Sequence, residues 1–166
     1  MQAAPRLALE IRDLRPAHWP EVARIYAEGI RSGATFATRP PSWEAWDRAH
    51  TLRLVAVVEG RVVGWAALEP VSERYVYRGV ARSAVYVAES ARGRGIGRAL
   101  MAELIERAES AGIWTIEAGL FPENVPSLRL HQALGFRVVG VRERLGQRGG
   151  VWHDVLLLER RSEVVE

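Results

Sequence analysis

Residues 83–100 read Ser83-Ala84-Val85-Tyr86-Val87-Ala88-Glu89-Ser90-Ala91-Arg92-Gly93-Arg94-Gly95-Ile96-Gly97-Arg98-Ala99-Leu100, and the order of residue types within them decides the fold. A short apolar, β-favouring run, Ala84 to Val87, passes through a polar connection into alternating glycine and arginine and then into a helical pattern. The stretch predicts strand, loop and helix in direct succession. Glycines at 93, 95 and 97 let the backbone approach a ligand with no Cβ in the way. The first turn of the following helix presents unpaired N–H groups and partial positive charge, and Arg92, Arg94 and Arg98 add full charges around it. Such a loop suits a pyrophosphate. A dinucleotide fingerprint is excluded because Arg98 stands three residues after Gly95, and Leu100 three after Gly97, where that motif needs glycine or alanine. A Walker loop is excluded because the chain has neither Gly-Lys-Ser nor Gly-Lys-Thr. The plainer reading of the same residues is a basic loop capping an ordinary helix.

Composition narrows the choice of partner. At 166 residues and 48 % hydrophobic, the chain predicts one domain with a substantial core. Net charge is only +3 and is spread along the chain, with no basic block or aromatic-basic interleaving that would mark a nucleic-acid surface. Cysteine is absent, which removes disulfides, thiolate metal sites and cysteine nucleophiles together. The four histidines, His18, His50, His131 and His153, show no paired metal spacing, so no metal is expected. Around Pro5 and Arg6 there is no apolar signal core, and no stretch approaches the ~20 apolar residues of a membrane span. A cytoplasmic protein with no nucleic-acid or membrane partner is the expectation.

Outward from the central stretch, hydrophobic periodicity sets the remaining elements. Leu7 to Arg12 predicts an opening strand; Trp19, Val22, Ala23, Tyr26 and Ile30 share one helical face that Gly33 ends. The breaker-rich loop Ser32 to Pro41 carries Phe36, which either lines a pocket or lids the core. Ser42 is a good N-cap for a short helix over Trp43 to His50. Arg53 to Val58 and Arg61 to Leu68 read as two strands joined at Glu59-Gly60, a hairpin signal. Glu69 to Gly79 then leads into the central strand through Val80-Ala81-Arg82. Its tyrosines and polar groups, among them Glu73, Arg74, Tyr75 and Tyr77, read as either a substrate wall or a bare turn. A third helix covers Ile96 to Ala111, a strand Trp114 to Leu120, and a last helix about Ser127 to Leu134. Strands at Arg137 to Val141 and Val151 to Leu158, separated by a Gly146 to Gly150 turn, complete the order β-α-α-β-β-β-α-β-α-β-β. The fold class is α/β (α+β), a mixed sheet flanked by helices.

Arg92-Gly93-Arg94-Gly95-Ile96-Gly97 resembles the acyl-CoA pyrophosphate loop of the GCN5-related N-acetyltransferase (GNAT) superfamily. Asn124-x-x-Ser127 and Leu130-His131-Gln132-Ala133-Leu134-Gly135-Phe136 fit the same superfamily at the right spacing. Within it the chain is similar, over about Glu10 to Arg161, to the phosphinothricin, arsinothricin and methionine sulfoximine/sulfone acetyltransferases. The stretches that carry this are Ala34-Thr35-Phe36, Pro70 to Arg74, Val85-Tyr86-Val87, Phe121 to Asn124 and Gly149 to Val155. The resemblance implies a mostly antiparallel sheet with a splay between its two central strands. It also implies acetyl-CoA as cofactor, a free amine on a small amino-acid-like substrate, direct transfer in a ternary complex, and a homodimer. Carried over residue by residue, the CoA contacts are Val85, Tyr86, Val87, Arg92, Gly93, Arg94, Gly95, Ile96, Gly97, Arg98, Asn124, Ser127 and His131.

Acetyl transfer needs a neutral amine, close approach and a stabilised oxyanion. The Val87 amide is the oxyanion candidate, with Val85 to Val87 pairing along the pantetheine as an added strand. His131 stands where the superfamily usually has the tyrosine that protonates the departing thiolate; it is either that acid or a satisfied helix histidine. The chain departs from its relatives at the general base. Arg82 and Ala37 stand where relatives look acidic, and an arginine cannot act as a base. If Trp65 pairs with Tyr86, Glu69 lies opposite Arg82, and a cross-strand ion pair there reshapes the amine pocket, leaving Glu69, Glu73 or water as base. Phe36, Arg74, Tyr75, Tyr77 and Arg82 are the candidate substrate contacts, Arg74 through a bidentate grip on an anionic end. Two other readings remain open: acetylation of a different amine, such as a protein N-terminus or lysine, and a CoA-binding module without turnover.

Overall fold

The chain turns back on itself at Glu59-Gly60 to pair two strands of the sheet. Both turn residues hold positive φ, 50° and 76°, the geometry of a two-residue turn whose twist matches the flanking strands. The structure, a computed structural model, describes residues 8–166, so Leu7 at the start of the expected first strand lies outside the described residues. Strand β1 is Leu9–Asp13, followed by helices α1 (Trp19–Arg31) and α2 (Trp43–Ala49) and strands β2 (Leu52–Val58) and β3 (Arg61–Pro70). Then come β4 (Val80–Val87), α3 (Ile96–Ser110), β5 (Thr115–Leu120), α4 (Val125–Ala133), β6 (Arg137–Arg148) and β7 (Val151–Arg161). Ser42 caps α2 as its sequence implies, its side chain accepting from the Ala45 amide at 3.2 Å.

The seven strands lie in the order β1-β2-β3-β4-β5-β7-β6, antiparallel except for β4 and β5. Trp65 faces Tyr86 across β3 and β4. The two central strands stay paired for only three positions, Val80↔Thr115, Ala81↔Ile116 and Arg82↔Glu117. Beyond Arg82 they part: β4 continues against β3, whereas β5 continues against β7. This is the splay the resemblance implies.

Helices α1 and α3 pack on opposite faces of β4. A Cβ placed on Gly29 of α1 would lie 2.5 Å from the Tyr86 ring, and one on Gly97 of α3 would lie 3.5 Å from the Val87 side chain. Successive strand side chains point to opposite faces, so α1 and α3 sandwich the sheet. Val22 and Ile25 of α1, and Leu100, Met101, Leu104 and Ala108 of α3, are fully buried against Leu54, Val55, Trp65 and Leu68.

The end of the chain corrects the sequence reading. β6 does not stop at Val141 but runs to Arg148, interrupted by register shifts at Val138/Gly140 and Arg142/Gly146. The turn is Gly149-Gly150, with φ of 57° and 78°, rather than Gly146 to Gly150. Gly146 is a strand residue kept small by packing, since a Cβ there would lie 3.1 Å from the Phe36 ring.

Candidate active site

The glycine-arginine loop folds as a bare helix entrance. Gly93 and Gly95 hold φ of 77° and 78°, Gly95 is the N-cap of α3, and no side chain caps that end. A side chain at either position would strain the backbone, although nothing lies within 4 Å of an added Cβ. Ile96 is buried and anchors the turn, while Arg92, Arg94 and Arg98 stay exposed. The first-turn amides therefore open onto a groove of about 660 Å³. Val85, Tyr86, Val87, Arg92, Gly93, Gly95, Ile96, Gly97, Arg98, Asn124 and Ser127, all expected contacts for the carrier, line it. Arg94 is not among its lining residues, and His131 lines the adjoining cavity instead.

The gap between β4 and β5 supplies main-chain groups. Ala88 donates its N–H to Val63 on β3 at 2.8 Å. Backbone groups alternate sides along a strand, so the N–H and C=O of Val85 and Val87 face away from β3, into the gap. Consistent with this, Arg92 Nε donates to the Val87 carbonyl at 3.3 Å. At the far wall, Asn124 Oδ1 caps α4 by accepting from the Ser127 amide at 3.3 Å.

A second cavity of about 280 Å³ adjoins the groove, and Ala34, Val85, Tyr86, Phe121, Asn124 and Ser127 line both. His131, 2 % exposed, lies in its wall. Nδ1 of that ring donates to the Ser127 carbonyl at 2.7 Å, which fixes the neutral tautomer with its lone pair on Nε2. Burial pushes the imidazole below its ordinary value, and the bond to Ser127 only partly opposes this. The ring packs edge-on against Phe136, centroids 4.9 Å apart. At neutral pH the group is an acceptor through Nε2. The expected role as an acid therefore requires that it first take up a proton.

The expected Glu69–Arg82 ion pair does not form. The two residues are cross-strand partners as anticipated, yet the guanidinium turns the other way, Nε and Nη2 contacting Glu117 Oε1 at 3.1 and 2.7 Å. Glu117 stands level with Arg82 on β5 at the last paired position before the strands part. Burial raises the Tyr26 phenol, and the charge of Glu69 adds to it. Tyr86, one of three mutually packed rings with Tyr26 and Trp65, is pushed up to about 12 by burial and then by Tyr26, against a smaller opposing bond from Thr35.

Of the other expected substrate contacts, Phe36 and Arg82 line the second cavity. Glu69, Glu73, Arg74, Tyr75 and Tyr77 line neither cavity. Arg74 instead lies 5.4 Å from the Tyr77 ring, and Arg78 sits 4.1 Å over Tyr75 and 5.2 Å from Trp114. These cation–π stacks tie down the approach to β4.

One residue to which the sequence reading gave no role, Arg148, helps complete the walls. Arg148, near the β6–β7 turn, donates to the Gly33 carbonyl and lies 4.9 Å over the Phe121 ring. Phe36 meets Phe121 edge-on at 4.9 Å, and Thr35 stands beside it in the cavity wall. The hairpin tip thus roofs the junction of the two cavities, a contact 115 residues apart in sequence that no local pattern announces. Among the described residues no helix is long and apolar enough to cross a membrane.

Comparison with known proteins agrees with this geometry. Residues 15–136 match the acetyltransferase (GNAT) family. The chain is 33 % identical to phosphinothricin N-acetyltransferase of Alcaligenes faecalis, covering 93 % of this chain and 83 % of that one. It is 28 % identical to the L-methionine sulfoximine/L-methionine sulfone acetyltransferase of Pseudomonas paraeruginosa, covering 92 % and 94 %. A phosphinothricin acetyltransferase from Sinorhizobium meliloti, solved in complex with acetyl-CoA, superposes with a TM-score of 0.83 at 31 % identity over 92 % of this chain and 88 % of that one. An open helix entrance for a diphosphate, a parted sheet for a pantetheine arm and these likenesses agree: the chain belongs to the acetyltransferase (GNAT) family and is an acetyl-CoA-dependent N-acetyltransferase.

Proposed function

We propose that the enzyme acetylates the free amine of a small amino-acid-like substrate, of the phosphinothricin, arsinothricin or methionine sulfoximine/sulfone type, by direct transfer in a ternary complex. The observation that carries this is the shared wall: the carrier groove and the 280 Å³ cavity meet at Val85, Tyr86 and Phe121, so a thioester and an amine can touch. A chain without cysteine has no thiol to carry the acetyl group between them. Relatives whose names specify phosphinothricin and methionine sulfoximine support the substrate class.

In this reading Arg92, Arg98 and the amides at the start of α3 hold the diphosphate, Val85 and Val87 pair with the pantetheine, and the Val87 N–H faces the thioester oxygen as it gains charge. We assign the base to His131 in place of Glu69 or Glu73, because it alone of the three lines the cavity. Its bare Nε2 accepts the amine's proton as the C–N bond forms, and the resulting imidazolium returns a proton to the leaving thiolate sulfur. Phe36 forms an apolar wall of the cavity.

The exposed valines of β6, an edge strand, support a homodimer formed along that edge. The absence of cysteine fits the reducing cytoplasm. The deciding experiment follows thiol release from acetyl-CoA across a panel of amino acids, amines and peptide N-termini, with products identified by mass spectrometry. Turnover confined to peptides, or none on any amine despite acetyl-CoA binding, overturns the proposal.

A further inference from the structure

Among the described residues, Arg82 is the only side chain of fixed charge in the wall of the 280 Å³ cavity. The remaining polar groups there, Thr35, Ser83, Tyr86, Asn124, Ser127 and neutral His131, carry no formal charge. Among the described residues no carboxylate lines the cavity: Glu117 and Glu69, which flank Arg82 on β5 and β3, are both absent from its wall. A protonated amine entering alone would meet the guanidinium in the wall, whose one carboxylate partner, Glu117, lies outside it. A substrate that brings its own negative charge matches this wall better than a simple amine.

The guanidinium is disposed to receive one. It spends Nε–H and one Nη2–H on a single oxygen, Glu117 Oε1. Of its five N–H donors, three have no partner among the described residues. The Glu117 contact holds the planar fork at the last paired rung of β4 and β5, and the side chain remains 42 % exposed. An arginine fixed on one side and open on the other is suited to a second oxyacid group, whose paired oxygens match its fork.

Resting on the amino-acid reading above, we infer that Arg82 is the anion anchor of the amine pocket: it binds an oxyacid group of the substrate and makes that group a condition of acetylation. The oxyacid can be the α-carboxylate beside the amine or an acid at the far end of the side chain, such as a phosphinate. Arg82 thereby changes what the pocket selects. Where an acidic side chain at this position would welcome any ammonium ion, Arg82 rejects simple amines and admits zwitterions.

The test compares wild type, Arg82→Gln, Arg82→Lys and Glu117→Gln on four substrates. These are methionine sulfone and its decarboxylated amine, and phosphinothricin and its decarboxylated amine, which keeps the phosphinate. The expected wild-type result is at least a 100-fold loss of kcat/KM when methionine sulfone loses its only acid. Retained activity on decarboxylated phosphinothricin identifies the distal acid as the anchored group, and its loss identifies the α-carboxylate. Arg82→Gln should narrow the methionine sulfone ratio to below about 10-fold, through KM for the amino acid, as loss of a charge-assisted hydrogen bond entails. In that variant KM for acetyl-CoA stays unchanged. Arg82→Lys should restore part of the discrimination, and Glu117→Gln, which leaves the guanidinium in place, should keep most of it. Equal discrimination in wild type and Arg82→Gln, or equal wild-type turnover of amino acid and amine, overturns the anchor while leaving the acetyltransferase intact. Calorimetry of methionine sulfone and phosphinothricin with the CoA-loaded protein gives a readout independent of turnover: weaker binding to Arg82→Gln supports the anchor, and equal binding or none sinks it.

Discussion

At the scale of single residues, the proposed chemistry turns on His131. One ring nitrogen is committed to the Ser127 carbonyl and the other is free, so a glutamine there keeps much of the shape and removes the basic lone pair. His131→Gln should lower kcat by about 10²- to 10⁴-fold at neutral pH with little change in KM for acetyl-CoA. Because burial holds the imidazole below its ordinary value of 6.5, the acceptor form predominates at pH 7. Activity should hold as pH falls past 6.5 and decline only at the lower folded value, a limb that His131→Gln lacks. The same shift acts on stability. Between the folded value and 6.5 the unfolded chain binds the proton and the folded protein does not, so this contribution is whole above 6.5 and is lost as pH falls below it. Denaturant titrations of wild type and His131→Gln at pH 7 and 5.5 should converge toward the lower pH. The sequence marked His131 as a candidate acid, but the direction of its proposed first proton transfer depends on a burial and a carbonyl contact that only the fold supplies. Arg82 shows the same limit. Its position opposite Glu69 was readable from strand register, but its choice of Glu117 depended on where the central strands part.

Among the elements, the α1–β4 contact controls the shape of both cavities. Gly29 lets the helix rest on the Tyr86 ring, and that ring lines the groove and the amine cavity alike. Gly29→Ala must displace the ring or the helix, destabilising the protein by about 1–3 kcal/mol. It should also weaken binding of coenzyme A, measured by calorimetry, as Gly112→Ala, remote from both cavities, does not. Gly95→Ala acts differently: its Cβ meets nothing, but a φ of 78° costs about 1–2 kcal/mol for an alanine and shifts the first-turn amides of α3. Its coenzyme A affinity should fall more than its melting temperature. Elements with strong local signals, namely the Glu59-Gly60 hairpin, the Ser42 cap and the amphipathic helices, were legible before any coordinates. The second half of β6 was not, because the alternation through Arg142 to Arg148 is broken by shifts of register and by charged residues. That unread half carries Leu145, Gly146 and Arg148, which is why the roof over the site was missed as well.

For the molecule as a whole, the β6 end of the sheet is a bare apolar flank. β6 is its last strand, and Val138, Val139, Val141 and Trp152 of the β6–β7 hairpin are exposed, Val141 at 53 %. An uncovered apolar edge invites a second copy, so sedimentation should report a dimer, and Val139→Lys with Val141→Lys should yield monomers. The parting of β4 from β5 has a different consequence, on the timescale of hydrogen exchange. The Val85 and Val87 amides face solvent in the free enzyme, so they should trade deuterium quickly beside the protected amides that β4 shares with β3. A bound carrier completes the seam. At a hundred times its Kd, coenzyme A should stabilise the protein by about 2.7 kcal/mol and slow exchange at those two amides, leaving the rest of β4 almost unchanged.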